Sequence, residues 1–163
     1  MSHQEVQIRT ATHKDAEAFI LLVNALADYE KLARPDAAAC ERLVKDAFGE
    51  QKRIDVFLAE VGGQPVGYAI VLETYSSFLA LPTLYLEDIF VLSQHRGRRA
   101  GYLLFKHCVR EAVKRGCGRM EWMVLDWNKL AQDFYERLGA RRLGEWLPYR
   151  MVRTELEAML QDR

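Results

Sequence analysis

At 163 residues the chain fits one domain, long enough for burial of roughly 70% of the unfolded surface, and a second domain is not expected. Lys plus Arg equals Asp plus Glu at 23 each, so no overall field draws it to nucleic acid or to an anionic membrane. Cys40, Cys108 and Cys117 have neither metal-ligand nor Cys-x-x-Cys spacing, and their odd number argues against a closed disulfide framework, so a reducing compartment and no metal are expected.

The start, Met1-Ser-His-Gln-Glu-Val6, carries no apolar segment of the signal-peptide kind, and no apolar run reaches the ~20 residues of a spanning helix. The expectation is a soluble cytoplasmic protein. Val6 to Thr10 alternates as a short strand, after which Thr12 is placed to cap a helix from His13 to about Lys31, with Asp15 in its first turn and Phe19, Leu22, Val23 and Leu26 as its buried stripe. Asp36 after Pro35 starts a second helix to about Phe48, which Gly49 stops. Val56–Val61, the turn Gly62-Gly-Gln-Pro65 and Val66–Leu72 read as a hairpin. Tyr75 to Pro82 reads as a loop, either lining a site or packed as a turn, with the first favoured.

Leu84 to Leu92 predicts a third strand. It is followed by the basic glycine loop Ser93-Gln-His-Arg96-Gly-Arg-Arg-Ala-Gly101 and a helix from about Arg98 to Arg115, with Leu104, Cys108 and Ala112 on one line and Phe105, Val109 and Val113 beside it. Gly116 ends that helix. Arg119 to Asp126 reads as a strand, Asn128 to Leu138 as a helix closed by Gly139, then two short strands around Arg142 and Arg150, and Thr154 as the cap of a last turn or two. Together these elements predict one mixed α/β domain over residues 1–163 with its strands grouped in the middle.

Charge is divided sharply along this order. Between Ile54 and Ser93 there is no Lys or Arg but five acids, Asp55, Glu60, Glu73, Glu87 and Asp88; from Gln94 to Arg119 eight basic residues face Glu111 alone. A strand, a basic glycine loop and a helix N-terminus form an anion cradle, because the first helical N–H groups lack partners and the helix dipole favours negative charge there. The combination suits a phosphate-bearing cofactor beside a cationic substrate.

From Leu84 onward the order of elements and residues resembles the Gcn5-related N-acetyltransferases, or GNAT superfamily. The family loop carries Arg or Gln, two residues, Gly, one residue, then Gly or Ala. Arg96 and Gly101 fill the outer slots with Arg99 in the middle glycine's place; starting from Gln94 instead puts Gly97 in the middle and Arg99 last. The second signature is Asp126-Trp-Asn128-Lys-Leu-Ala-Gln-Asp-Phe134-Tyr135-Glu-Arg-Leu-Gly139-Ala140, with asparagine, Phe-Tyr and Gly-Ala at the family's spacing. Ala27-Asp-Tyr29-Glu30-Lys, Tyr85-Leu-Glu87-Asp88-Ile-Phe-Val91, Arg96-Gly97 and Asp126-Trp-Asn128 further resemble the spermidine/spermine (diamine) N-acetyltransferase group.

The resemblance implies a GNAT-like α/β fold, with a mixed, mostly antiparallel central sheet, flanking helices and a splayed acetyl-CoA-binding strand pair. The implied activity is transfer of acetyl from acetyl-CoA, without an acyl-enzyme, to a primary amine of a small molecule such as a diamine, a polyamine or a lysine-like amino acid. A homodimer that binds neither nucleic acid nor membrane is the implied assembly. Alternatives are a non-catalytic acyl-CoA-binding sensor and an acetyltransferase acting on a protein amine.

By the same resemblance Glu87 binds the amine and accepts its proton, and Tyr135 is the general acid for the leaving sulfur. Taken alone, Glu87 is an ordinary strand carboxylate and Tyr135 a packing residue. Coenzyme contacts are implied for Ile89, Phe90 and Val91 through main chain, for Arg96, Gly97, Arg98, Arg99, Ala100, Gly101 and Tyr102 around the pyrophosphate, and for Asn128, Lys129, Leu130, Ala131 and Arg137. Tyr29, Glu30, Glu87, Glu121, Trp122 and Met123 are the implied substrate contacts. Strand alternation puts Asp88 on the face opposite Glu87, where it reads as structural; Trp127 and Trp146 are read likewise, and His95 and His107 have no evident role.

Overall fold

The computed structural model describes residues 5–161. The chain forms two compact units, one reaching to Met123 and one starting at Val124.

In the first unit Val6–Thr10 (β1) leads through a 3-10 turn, His13–Asp15, into Ala16–Glu30 (α1). The helix therefore starts later than the cap at Thr12 predicts. Asp15 accounts for the difference: its carboxylate accepts the Thr12 N–H at 2.7 Å and binds Arg9 of β1, which pins a tight turn before the α-helix opens. Ala37–Phe48 (α2) follows, capped by Asp36, whose carboxylate accepts the Ala39 N–H at 2.8 Å. Gly49 ends it for a reason other than a left-handed cap. Its φ is −73°, but a Cβ there would stand 2.5 Å from the Lys45 carbonyl oxygen.

Asp55–Val61 (β2), Gln64–Ser76 (β3), Leu81–Val91 (β4) and Arg119–Glu121 (β5) complete a sheet of order β1-β2-β3-β4-β5. The first four strands pair antiparallel; β5 lies parallel to β4 after the crossover helix Ala100–Lys114 (α3). The β2–β3 turn is only Gly62-Gly63, at φ 59° and 76°, so Gln64 and Pro65 belong to the strand. The loop expected over Tyr75–Pro82 is mostly strand as well: the ladder runs out to Ser76↔Leu81 and leaves only residues 77–80 as a turn.

Buried side chains alternate between two cores. Val56 and Leu58 of β2 and Tyr68 and Ile70 of β3 join Phe19, Leu22 and Ala47 of α1 and α2, with Phe90 of β4. On the other side Phe57 meets His107 of α3 edge-on at 4.4 Å, and Leu104, Phe105, Cys108 and Ala112 form the buried stripe of that helix. Val113 does not share it, being 75% exposed, and Val109 is exposed too, because they fall outside the arc facing the sheet. The helix ends as expected at Gly116, whose φ of 70° lets the Cys117 N–H reach the Ala112 carbonyl.

Two irregularities shape β4. Its pairing with β3 runs Ile70↔Asp88 and then Val71↔Leu86, so Glu87 is an extra residue without a cross-strand partner, a β-bulge. On the other edge β5 pairs with Thr83, Leu84 and Tyr85 only. The strand expected over Arg119–Asp126 is thus three residues long, because pairing stops just before β4 bends at the bulge.

The second unit holds Lys129–Arg137 (α4) and Arg153–Gln161 (α5). No strand forms around Arg142 or Arg150 among the described residues; Pro148 lacks an N–H for a ladder, and this unit offers no strand to pair with. Thr154 lies inside α5 and is not its cap. Glu155 does that work, its carboxylate accepting the Val152 N–H at 2.7 Å. Trp127 and Trp146 are exposed. Residues 162–163, where the last helix was expected to end, lie outside the described residues.

Candidate active site

The bulge decides where the acids of β4 stand. Glu87 is exposed, whereas Asp88 is half-buried and its carboxylate accepts the hydroxyl proton of Tyr68 at 2.9 Å. Tyr68 itself is fully buried, with Phe19 edge-on at 5.6 Å. Burial pushes the Asp88 carboxyl up to about 6; the Tyr68 hydrogen bond pulls the other way, and the negative charges of Glu87 and Glu30 push it further up. The Tyr68 phenol is held well above its ordinary range by burial and by the same three carboxylates. Glu30, at the end of α1, is raised by burial. Glu30, Glu87 and Asp88 therefore share one neighbourhood around a buried tyrosine. The assignment of Asp88 to a separate face does not hold, since a bulge interrupts the alternation on which it rested.

A cation lies against Tyr29, the residue before Glu30. Arg96 lies with its guanidinium 4.6 Å from the Tyr29 ring centroid and 5.8 Å from that of Phe90, and its Nε donates to the Val91 carbonyl at 3.1 Å. The side chain expected in the phosphate loop is thus packed against Tyr29, a residue expected at the amine.

After Arg96 the chain turns through Gly97 at φ 80° and Arg99 at φ 64° into α3. Arg99 keeps the left-handed backbone that a glycine would adopt, and its guanidinium lies 5.2 Å from the Tyr102 ring. The first intrahelical bond of α3 runs from the Leu103 N–H to the Arg99 carbonyl, which leaves the N–H groups of Ala100, Gly101 and Tyr102 without helical acceptors. A Cβ at Gly101 would meet only Val91 at 3.9 Å, and one at Gly97 nothing within 4 Å, so the backbone is open to a ligand. Donors, dipole and the exposed Arg98 and Arg99 fit an anionic phosphate group. The rest of the basic run is partly committed elsewhere: Arg115 bridges Asp55, Glu73 and Glu111, and Arg119 pairs with Glu121 at 2.9 Å.

The remaining expected substrate residues of this unit follow β5. Glu121 stands opposite Tyr85 in the ladder, and with Glu87 it raises the Tyr85 phenol electrostatically, behind the larger effect of burial. Trp122 packs edge-on against Phe105 at 5.3 Å, and Met123 is exposed.

In the second unit Asn128 caps α4, its side-chain oxygen accepting the Ala131 N–H at 3.2 Å, while Gln132 Nε2 donates to the Leu125 and Asp126 carbonyls. Tyr135 is buried and Phe134 stands edge-on to it at 5.4 Å. Gly139, at φ 90°, lets the Ala140 N–H return to the Tyr135 carbonyl at 3.1 Å. The Asn, Phe-Tyr and Gly-Ala signature is therefore a helix with both ends tied. Lys129, Leu130 and Arg137 are exposed on it.

Cys108 is buried and its thiol is pushed up to about 12, and the Cys117 thiol is raised by burial too, so neither is poised as a thiolate nucleophile.

A family model described as acetyltransferase (GNAT) family matches residues 21–140. Thialysine N-epsilon-acetyltransferase from Bos taurus is 36% identical over 162 residues, which cover 94% of this chain and 95% of that protein. L-ornithine N5-acetyltransferase from Arabidopsis thaliana is 41% identical over 93 residues, 57% of this chain and 41% of that protein. Among solved structures, an integron cassette protein from the mobile metagenome of V. cholerae superposes with a TM-score of 0.81 at 23% identity, covering 97% of this chain and 99% of that one. The chain belongs to the GNAT acetyltransferase family. It is an acetyltransferase, and the expected fold, a mixed, mostly antiparallel sheet with flanking helices, is the fold observed, with β4 and β5 as a parallel pair.

Proposed function

We propose that this enzyme transfers acetyl from acetyl-CoA to a primary amine at the end of an extended small molecule. The observation that carries this reading is the junction of opposite charges within one strand-loop-helix segment: Glu87 and Asp88, with Glu30 nearby, precede the unpartnered N–H groups of α3 and Arg96–Arg99. Carboxylates suit an alkylammonium, and the helix start suits the pyrophosphate of acetyl-CoA. Relatives named for acetylating thialysine at its ε nitrogen and ornithine at N5 support an amine on an extended side chain.

Gly97–Tyr102, with Arg96, hold the pyrophosphate; the β4 segment Ile89–Val91 takes the pantetheine arm by main-chain pairing; Asn128, Lys129, Leu130, Ala131 and Arg137 complete the coenzyme contacts. Tyr29, Glu30, Glu87, Glu121, Trp122 and Met123 receive the amine. A free alkylammonium titrates near ~10.4, so its proton must be removed before nitrogen attacks. The lone pair then adds to the thioester carbonyl, whose oxygen is met by an N–H near Phe90 or Val91, and the carbon–sulfur bond breaks. Tyr135 protonates the departing thiolate and is restored by the proton released as the nitrogen's second N–H bond breaks and the amide forms. Attack is direct, which agrees with the absence of an activated thiol at Cys108 and Cys117. By resemblance to the diamine acetyltransferase group, a cytoplasmic homodimer is the corresponding assembly.

The test is coenzyme A release from acetyl-CoA with a panel of putrescine, spermidine, lysine, thialysine and ornithine. Turnover with at least one of them, reduced at least ~100-fold in Tyr135→Phe, is expected. No release with any amine defeats the reading, and full activity of Tyr135→Phe removes that residue's role.

A further inference from the structure

The proposed reaction needs an acceptor for the ammonium proton, a role the family resemblance implies for Glu87 together with amine binding; the geometry separates the two tasks. Glu87, on the bulge, is exposed, as a residue that meets a diffusing cation should be. Asp88 is half-buried at the next position and fixed by the Tyr68 hydroxyl, itself anchored in the core by Phe19. A carboxylate withdrawn from water with one neutral donor and two other carboxylates nearby gains by taking up a proton.

We propose that Asp88, oriented by Tyr68, accepts the proton of the substrate ammonium, while Glu87 and Glu30 remain ionised and hold the cation. The inference rests on the amine-acetyltransferase reading above. In this step the ammonium N–H bond breaks and an O–H bond forms on Asp88; the freed lone pair attacks the thioester carbon, and Asp88 returns its proton to solvent after the product leaves.

The charged and titratable groups that act on Asp88 are Tyr68 on β3, Glu87 beside it on β4 and Glu30 from α1. A base near 6 is ionised at neutral pH yet much closer to the amine in proton affinity than an ordinary aspartate. Its neighbours also fix the direction of each perturbation. Loss of the Tyr68 hydroxyl removes the influence that lowers Asp88 and must raise it; loss of the Glu87 charge removes one that raises it and must lower it.

The experiment is the pH dependence of kcat for amine-dependent coenzyme A release from about pH 5 to about pH 9, in wild type, Asp88→Asn, Tyr68→Phe and Glu87→Gln. Wild-type kcat is expected to rise through about 6 to a plateau. Asp88→Asn should be at least ~100-fold slower with that limb gone and its amine KM within ~3-fold of wild type. Tyr68→Phe should move the limb to higher pH. Glu87→Gln should move it to lower pH while raising the amine KM. An active wild type with a normal limb in Asp88→Asn, or with a limb that neither Tyr68→Phe nor Glu87→Gln moves, overturns the proton-acceptor role alone. If Asp88→Asn does not fold, the two opposite shifts still decide. A wild type that acetylates no amine overturns the broader reading and this one with it.

Discussion

The guanidinium of Arg96 rests 4.6 Å from the ring centroid of Tyr29 and joins the basic glycine loop to the end of α1. One residue thus touches both the segment proposed for acetyl-CoA and the segment proposed for the amine. Arg96→Gln removes the cation, and Tyr29→Leu removes the ring while keeping an apolar side chain. Arg96→Gln should raise the KM of both substrates, Tyr29→Leu chiefly that of the amine. The two changes should not add: a double-mutant cycle on amine kcat/KM should show coupling of about 1 kcal/mol. Strict additivity would mean that the stacking plays no part in amine recognition.

Glu30 and Glu87, the carboxylates proposed to hold the amine, come from different elements, the end of α1 and the bulge of β4. Each adds charge attraction without being needed for the fold, since Glu87 has no cross-strand partner and Glu30 ends its helix. Replacing either by Gln should raise the amine KM about 10-fold, roughly 1.4 kcal/mol, and leave the KM of acetyl-CoA within ~2-fold. The loss should shrink as salt is added, because partly exposed charges are screened. Steady-state kinetics at low and high salt test both points; equal losses for the two substrates would contradict the separation.

The local structure around the proposed site is partly legible in the sequence, and the limits have physical causes. The loop and the α4 signature were legible because main-chain chemistry sets them: helix-start donors need glycine nearby, and Asn128 and Gly139 mark the two ends of a helix. Asp88 was not legible. Alternation along Leu84–Leu92 assigns it to the other face, and only the unequal register against Ile70 and Val71 reveals the extra residue. The signal was present as two adjacent acids in an otherwise apolar strand, which strict period-two patterning does not produce. The overlong β5 has a related origin, because Trp122 to Leu125 is apolar enough for a strand but the ladder with β4 ends at Tyr85↔Glu121. The Tyr75–Pro82 loop was overdrawn because small residues there resemble a turn, while the ladder supplies pairing that sequence does not display.

Arg99 holds a glycine's backbone, at φ 64°, in the loop proposed for the pyrophosphate. A non-glycine residue costs about 1–2 kcal/mol there, offset in part by the Tyr102 ring beneath its guanidinium. Arg99→Gly relieves the first and forfeits the second, and it leaves the N–H groups of Ala100–Tyr102 in place. Its KM for acetyl-CoA should stay within about 3-fold of wild type, and its thermal stability should not fall. Arg99→Val, with a β-branched side chain forced into the left-handed region, should lose about 2 kcal/mol of stability. A large loss of coenzyme affinity in Arg99→Gly would instead make the guanidinium the phosphate ligand.

Acid should loosen the other end of the sheet first. Arg9 of β1 donates to Asp15 at 2.7 Å and to Glu60 of β2, tying the edge strand to both its neighbour and the start of α1. The two carboxylates are each only 12% exposed, whereas Arg9 is 39% exposed, so solvent moderates the attraction. The Arg9 hydrogen bond holds the Asp15 carboxyl far below the usual range, and burial opposes it only in part. Because the folded-state value is depressed, this contribution is full above the unfolded value near ~3.9 and is lost as pH falls through the folded one. Asp15→Asn should lower stability by about 1–2 kcal/mol at neutral pH and by progressively less below about pH 4. Urea unfolding at a series of pH values tests this: wild-type and variant curves should converge in acid, and a constant gap would show that the Arg9 pair contributes no pH dependence.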